Sequence, residues 1–263
     1  MESQDIADCA IGLSGRVVHV WPVRTDVPGA AAGFFEAYLS PDEKGRAAQF
    51  RLERNRNTFA VAHGVLRILL GRYLNSSPDG ILFKYGPKGK PALAGSAAID
   101  FNMSHSDSLA VFAFTAGCPV GIDVERIRPL PDMLTIADRF FCSAEAAELM
   151  SLAPDQRQHG FYLCWTRKEA YIKASGDGLS TPLDSFRVTL RPCQPARFMH
   201  LAHLANDASA SQAWSLHDLP LASDYAAALA YRDSERPIVI LPIAHPTELP
   251  GIHDFRGRPL NLP

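Results

Sequence analysis

The secondary-structure signals of this chain come in two passes of the same kind, and that repetition limits what it can fold into. In the first pass, residues 16–23 read as a strand rich in β-branched residues. Ser40-Pro41-Asp42-Glu43 opens a helix, because Ser40 can cap, Pro41 suits the first turn and Glu43 completes a capping box. A longer helix is predicted over about 54–74, where Phe59, Ala62, Leu66, Leu69 and Tyr73 recur at three- and four-residue steps. Ile81-Leu82-Phe83 reads as a short strand, Gly86 to Pro91 as a turn fixed by Gly and Pro, and Leu109 to Thr115 as an apolar strand. The second pass begins with a strand at Val120 to Val124. Helices follow over 132–140, 144–152 and 157–175, the last ending near Gly176 as a C-cap. A strand at Phe186 to Leu190 and a closing pair, Ala213 to His217 with Tyr225 to Tyr231, complete it. From Arg236 onward Pro recurs, so an extended or irregular tail is expected. The expectation is a mixed α+β chain in two similar halves that meet near 115–122.

Composition narrows the partners. The 263 residues are 47% hydrophobic, ample for a large core in one domain or two fused smaller ones. A net charge of −2 gives no global positive field to attract nucleic acid or an acidic membrane, so an anionic ligand needs a local cluster. The uncharged run Val111 to Ile122 contains Gly and Pro and is too short to span a bilayer. Five cysteines, none at zinc-ligand spacing, and an acidic N-terminus point to a soluble cytoplasmic protein.

Two short windows carry the chemistry. In Gly121-Ile122-Asp123-Val124-Glu125 the two acids lie two apart on a strand, so both carboxylates share one face. Such a pair repels itself unless a cation intervenes, and Mg²⁺ commonly takes one or two carboxylates with substrate phosphates. Taken alone, Asp-x-Glu is more simply two exposed acids on an edge strand. In Trp165-Thr166-Arg167-Lys168-Glu169-Ala170-Tyr171-Ile172-Lys173, the residues Trp165, Glu169 and Lys173 share a helix face. Glu169 and Lys173 are then either a surface ion pair or a third metal ligand or base with a phosphate partner. The two windows together favour function, with Trp165 as a core anchor. Lys88 and Lys90, in the Gly/Pro turn, are either a solvated tip or phosphate contacts. Ser104 and His105 offer donors to a phosphate but no nucleophile geometry. His200 and His203 read as incidental.

Together these segments resemble the Sfp-type 4′-phosphopantetheinyl transferases. Gly121 to Glu125 is similar to that family's first signature, and Trp165 to Ala170 with Lys173-Ala174-Ser175-Gly176 to its second. Gly89-Lys90-Pro91 and Phe101-Asn102-Met103-Ser104-His105-Ser106 match two further motifs in the expected order. The resemblance spans roughly 38–190. It implies a pseudo-dimer of two α/β subdomains with coenzyme A in the cleft between them. The N-terminal half, 1–118, would form the phosphate and adenosine side. The C-terminal half, 119–235, would carry the acids and the catalytic helix, followed by a tail at 236–263. Asp123, Glu125 and Glu169 would gather Mg²⁺ on the pyrophosphate. Lys173 would neutralise charge, and Glu169 or Glu145 would take the proton of a carrier-protein serine, releasing 3′,5′-ADP. Lys90, Ser104 and His105, with Lys88, would hold phosphates. Where many relatives carry an arginine this chain has Thr58, and Arg56 or Arg54 is the expected substitute. The resemblance further implies a monomer that uses coenzyme A as co-substrate and an apo acyl or peptidyl carrier protein as partner. The alternatives are another Mg²⁺-dependent phosphotransferase and a non-catalytic binding module for coenzyme A or a carrier protein.

Overall fold

A computed structural model describes residues 13, 16–95, 98–201 and 214–249. His203, Ala213, the acidic N-terminus and the tail beyond 249 lie outside the described residues. The first half runs β1 (Val18–Arg24), α1 (Gly29–Glu36), α2 (Pro41–Ala48), α3 (Glu53–Leu74), β2 (Phe83–Tyr85), β3 (Pro91–Leu93), β4 (Ile99–Ser106) and β5 (Leu109–Ala116). The second runs β6 (Val120–Arg126), α4 (Met133–Phe140), α5 (Ser143–Ser151), α6 (Pro154–Ser175), β7 (Phe186–Val188), β8 (Phe198–Leu201), β9 (Ser215–Asp218) and β10 (Tyr225–Tyr231). The architecture is mixed α+β.

The repetition read from the sequence is realised in the topology. Each half offers a seven-residue strand, a set of helices ending in one of 22 residues, a short hairpin and two more strands. Within each sheet the last strand lies between the first and the penultimate, as β1-β5-β4 and β6-β10-β9, with antiparallel neighbours. The expected helices are present with ends shifted by at most three residues. The expected strand at Ile81 begins instead at Phe83, because Pro78–Gly80 forms a 3₁₀ turn and the Ile81 side chain drops into the core. The helix α1 left no clear periodic signal. The tail holds one further strand, β11 (Ile238–Ile240), which pairs in parallel with β1. No helix among the described residues is long and apolar enough to cross a membrane.

Strand alternation sorts the side chains into layers. Trp21, Val23, Ala110, Phe112 and Phe114 point to the helix α3 and form one core. Their neighbours Val18, Val20, Leu109, Val111 and Ala113 face Val120, Ile122, Val124, Ala227 and Leu229 of the other sheet. Ala226, Ala228 and Ala230 face α6 in a third cluster. The two sheets are therefore packed face to face, with a long helix on each outer side. Small residues let α6 come close. A Cβ on Gly121 would stand 2.2 Å from the Ala170 carbonyl oxygen and the Ala174 nitrogen. Because Asp123 and Glu125 share the strand face of Gly121, they are turned toward α6.

Each half also holds a buried ion pair at matching positions. Glu43, third in α2, meets Arg67, fifteenth in α3, at 2.7 Å. Glu145, third in α5, meets Lys168, fifteenth in α6, at 2.8 Å. All four side chains are at most 2% exposed. In each case a short helix is tied to the long one behind it.

Candidate active site

The strand β4 meets β6 through alternate side chains. Asn102 Oδ1 accepts the Ile122 N–H at 2.9 Å. Ser104 Oγ donates to Asp123 Oδ1 at 2.9 Å, and Ser106 Oγ donates to Glu125 Oε2 at 2.8 Å while accepting the Arg126 N–H. The register of this seam fixes both acids in the junction of the halves. The helix α6 supplies Glu169 and Lys173 one turn apart. Lys173 Nζ donates to Asp123 Oδ1 at 2.6 Å and to Ser104 Oγ at 3.0 Å. Asp123 is 3% exposed, and its Oδ2 is one of three buried side-chain polar atoms that find no partner among the described residues.

The three carboxylates influence one another. Burial raises the pKa of Glu125, against the Ser106 hydrogen bond, and the Asp123 charge adds to the rise. Burial also raises Glu169, with further upward pushes from Asp123 and Glu125 opposed by Lys173. Among the described residues no three His, Cys, Asp or Glu side chains stand grouped to hold a metal ion. The acids thus share one field without forming a finished coordination sphere.

Two cavities flank this centre and share Gly89, Pro91, Asn102, Met103 and Lys173. The larger, about 440 Å³, runs from Lys173, Ser104 and His105 to a wall formed by Arg46, Phe59 and His63. The smaller reaches Lys88, Lys90 and Glu169. His105 opens on the larger cavity, and desolvation there, then the charges of His63 and Lys173, lowers its pKa. The wall is aromatic as well as basic. The Arg46 guanidinium lies 5.2 Å over the Phe59 ring, and His63 stacks on that ring from α3.

The structure brings together Asp123, Glu125, Glu169, Lys173, Ser104 and His105, and gives three other sequence-predicted residues different settings. Glu145 is fully buried away from them. It accepts the Val188 and Cys142 N–H groups and pairs with Lys168, so it has neither access to substrate nor a free oxygen. Lys90 donates to the carbonyls of Val120 and Ala174, both at 3.0 Å, and so clamps the first half's turn onto the second half. Burial brings its pKa down to about 8. Arg56 is exposed on the first turns of α3 and lines neither cavity; Arg46 stands in that wall instead. Lys88 does line the smaller cavity. Trp165 anchors α6 among Phe140, Phe141 and Phe161. Sequence reading missed Arg46, Phe59 and His63 as cleft residues. The four-residue spacing of Phe59, His63 and Arg67 on one helix face was the available signal.

Comparison with known proteins converges on one family. Residues 119–230 match the model of the 4′-phosphopantetheinyl transferase superfamily. The chain is 37% identical over 216 residues to the 4′-phosphopantetheinyl transferase HetI of a Nostoc species, covering 81% of this chain and 86% of that protein. It is 33% identical to the 4′-phosphopantetheinyl transferase Sfp of Bacillus subtilis, covering 59% of this chain and 68% of that one. A solved structure described as apo-ACPS of Chronobacterium ammoiniagenes aligns with 43% of this chain and 94% of that chain, at 19% identity and a TM-score of 0.33, too slight a likeness to bear on the fold. By its relatives, and with a cleft whose acids and lysine suit phosphoryl chemistry, this chain belongs to the 4′-phosphopantetheinyl transferase family of enzymes.

Proposed function

We propose that the enzyme moves the 4′-phosphopantetheine group from coenzyme A to a serine of an apo acyl or peptidyl carrier protein and releases 3′,5′-ADP. The observation that carries this reading is the meeting of Lys173, Ser104 and Asp123 where the two cavities join, with Asp123 Oδ2 left bare. A buried carboxylate oxygen without a partner, beside two further acids, is costly unless positive charge arrives. Hard oxygen donors of this kind fit Mg²⁺, and Asp123, Glu125 and Glu169 would hold it. When bound, the ion supplies charge neutralisation to the pyrophosphate.

The chain's own groups do the rest. The adenosine end of coenzyme A occupies the larger cavity along Arg46, Phe59 and His105, which directs the pyrophosphate to Lys173. The serine oxygen bonds to the β-phosphorus as the bridging P–O bond to the α-phosphate breaks. Glu169, whose proton affinity is raised by burial, takes the serine proton, and Lys173 neutralises the departing oxygen. Ser104 and Asp123 orient Lys173 for that role. Lys88 faces the smaller cavity as a further phosphate contact, and Lys90 holds the turn in place. Both walls come from one chain, which supports a monomer as the working unit. The four described cysteines are free, which supports a reducing compartment such as the cytoplasm.

The test is to incubate the protein with coenzyme A, Mg²⁺ and several apo carrier proteins and to weigh the carriers by mass spectrometry. A phosphopantetheine adduct is expected, and it should vanish on chelation of the metal. Unmodified carriers throughout would sink the reading.

A further inference from the structure

Along the seam between the halves, β4 offers Asn102, Ser104 and Ser106 from one face to Ile122, Asp123 and Glu125 of β6. The two hydroxyls are taken up by the acids, whereas Asn102 is engaged at one end only. Its Oδ1 accepts the Ile122 N–H at 2.9 Å. A backbone N–H can only donate, so the amide is fixed with its oxygen toward β6. Turning it over would leave the N–H of the fully buried Ile122 without an acceptor. The Nδ2 end has no partner among the described residues, yet it is not one of the sealed polar atoms that lack one, so it opens on accessible space. Asn102 is otherwise buried and lines both cavities where they join, beside Lys173. An amide tied at its oxygen and open at its nitrogen is a neutral donor already aimed at whatever occupies that junction.

The order of side chains along the seam says which atom that is. Asn102 and Ser104 stand two residues apart on β4, about 7 Å along the strand. Ser104 meets Asp123 and Lys173, and Ser106, one step further, meets Glu125. The sequence along the seam is therefore Asn102, then Lys173 with Asp123, then Glu125. Asn102 lines both cavities and Glu125 lines neither, so the adenosine side of the seam is the Asn102 side. A pyrophosphate attacked at its β-phosphorus beside the acids thus turns its α-phosphate toward Asn102. When the bridging P–O bond breaks, its electron pair stays on the oxygen of the α-phosphate, which gains a negative charge. A fixed N–H at that phosphate is worth most as the charge develops.

We propose that Asn102 is a catalytic residue of the transfer, whose Nδ2–H donates to the α-phosphate of coenzyme A and holds it more tightly as it departs with 3′,5′-ADP. This rests on coenzyme A as the co-substrate, with its adenosine end in the larger cavity. Asn102 keeps its own protons throughout, and the serine proton still goes to Glu169. Lys173 supplies the charge at the departing oxygen, and Asn102 supplies a direction that the lysine, free to turn on its stem, does not.

The experiment compares two nucleotides that differ only in the α-phosphate, 3′,5′-ADP and adenosine 3′-monophosphate. Their affinities are measured by calorimetry with Mg²⁺ present, for the parent and Asn102→Asp, beside kcat and KM for coenzyme A. Asn102→Asp keeps an oxygen for the Ile122 N–H and puts an acceptor where the donor was. It should weaken 3′,5′-ADP about tenfold or more, the size of one lost charge-assisted hydrogen bond. Adenosine 3′-monophosphate should stay within about twofold of the parent, below what one such bond contributes. The value of kcat should fall about a hundredfold, as when one donor to a developing oxyanion is lost, with a smaller rise in KM. An affinity for 3′,5′-ADP and a kcat both within about twofold of the parent overturn the proposal. Equal losses with the two nucleotides also overturn it, because they mark a role in holding the seam alone. Should Asn102→Asp not fold, Asn102→Ala is read with the same pair: a loss confined to 3′,5′-ADP supports the proposal and equal losses overturn it. A parent that neither binds 3′,5′-ADP nor modifies a carrier would overturn the co-substrate reading together with this one, whereas normal transfer by the parent with equal nucleotide losses overturns this one alone.

Discussion

Asp123 gives one oxygen to Ser104 and Lys173 and keeps the other bare, and its neighbours Glu125 and Glu169 are held above their ordinary pKa by burial and by the Asp123 charge. For a carboxyl raised in the folded state, the stabilising form is the protonated one. Its contribution is complete below the unfolded value near 4.5 and is lost as pH rises through the raised folded value. At neutral pH, Glu169 therefore opposes folding of the metal-free protein. Glu169→Gln should raise Tm at pH 7 while abolishing transfer, and the gain should disappear by about pH 4, near the carboxyl's ordinary pKa. A lower Tm at pH 7 would show that Glu169 has a stabilising partner. Glu43 behaves in the opposite sense. Its carboxyl lies at about 2 against an ordinary 4.5, which is roughly 3 kcal/mol of stability. That contribution is present above the unfolded value and is lost as pH falls from there toward about 2. Acid titration of Glu43→Gln should therefore show a shallower decline in stability over that window than the parent, from a start lowered by about 3 kcal/mol or more, because Arg67 is left buried without its carboxylate.

At the scale of elements, the contact of β6 with α6 decides whether the acids reach the lysine. Gly121 makes that contact possible, and Gly121→Ala would press a Cβ onto backbone atoms, which cannot rotate away. The expected loss is about 3 kcal/mol or more, with transfer reduced beyond what stability explains, as measured by denaturant melts beside initial rates. Parent-like stability and rate would mean that α6 slides freely. The same contact shows what a sequence discloses. The alternation of Asp123 and Glu125 and the four-residue step from Glu169 to Lys173 are local periodicities, so they were readable in advance. The burial of Glu145 against Lys168, the capture of Lys90 by two carbonyls and the placement of Arg46 rather than Arg56 over Phe59 are tertiary facts. No spacing along the chain encodes them. The acid in a capping box was readable at Glu43; that the oxygen it gives to the cap would also meet a residue fifteen positions into another helix was not.

At the scale of the molecule, the two halves share a plan and differ in what fills it. In the second half, the strand facing its long helix carries Gly121, Asp123 and Glu125. The corresponding positions of the first strand carry His19, Trp21 and Val23, and Trp21 donates to Tyr73 from α3 in a closed, apolar setting. One half has kept the plan as scaffold, and the other has put charges on it. The order of elements and the sense of two halves were legible because each element has its own period. The face-to-face packing of the sheets was not, since inner and outer faces are both apolar. The strand β11 adds a consequence for the making of the protein. It follows the whole second half in sequence, yet it lies against β1, near the beginning. A growing chain cannot finish its first sheet until its second half has left the ribosome, and the long loop so closed has a high entropic cost. Refolding after a denaturant jump should thus follow a single slow phase in tryptophan fluorescence. Two resolved phases, one for each half, would show that the first sheet forms without its last strand.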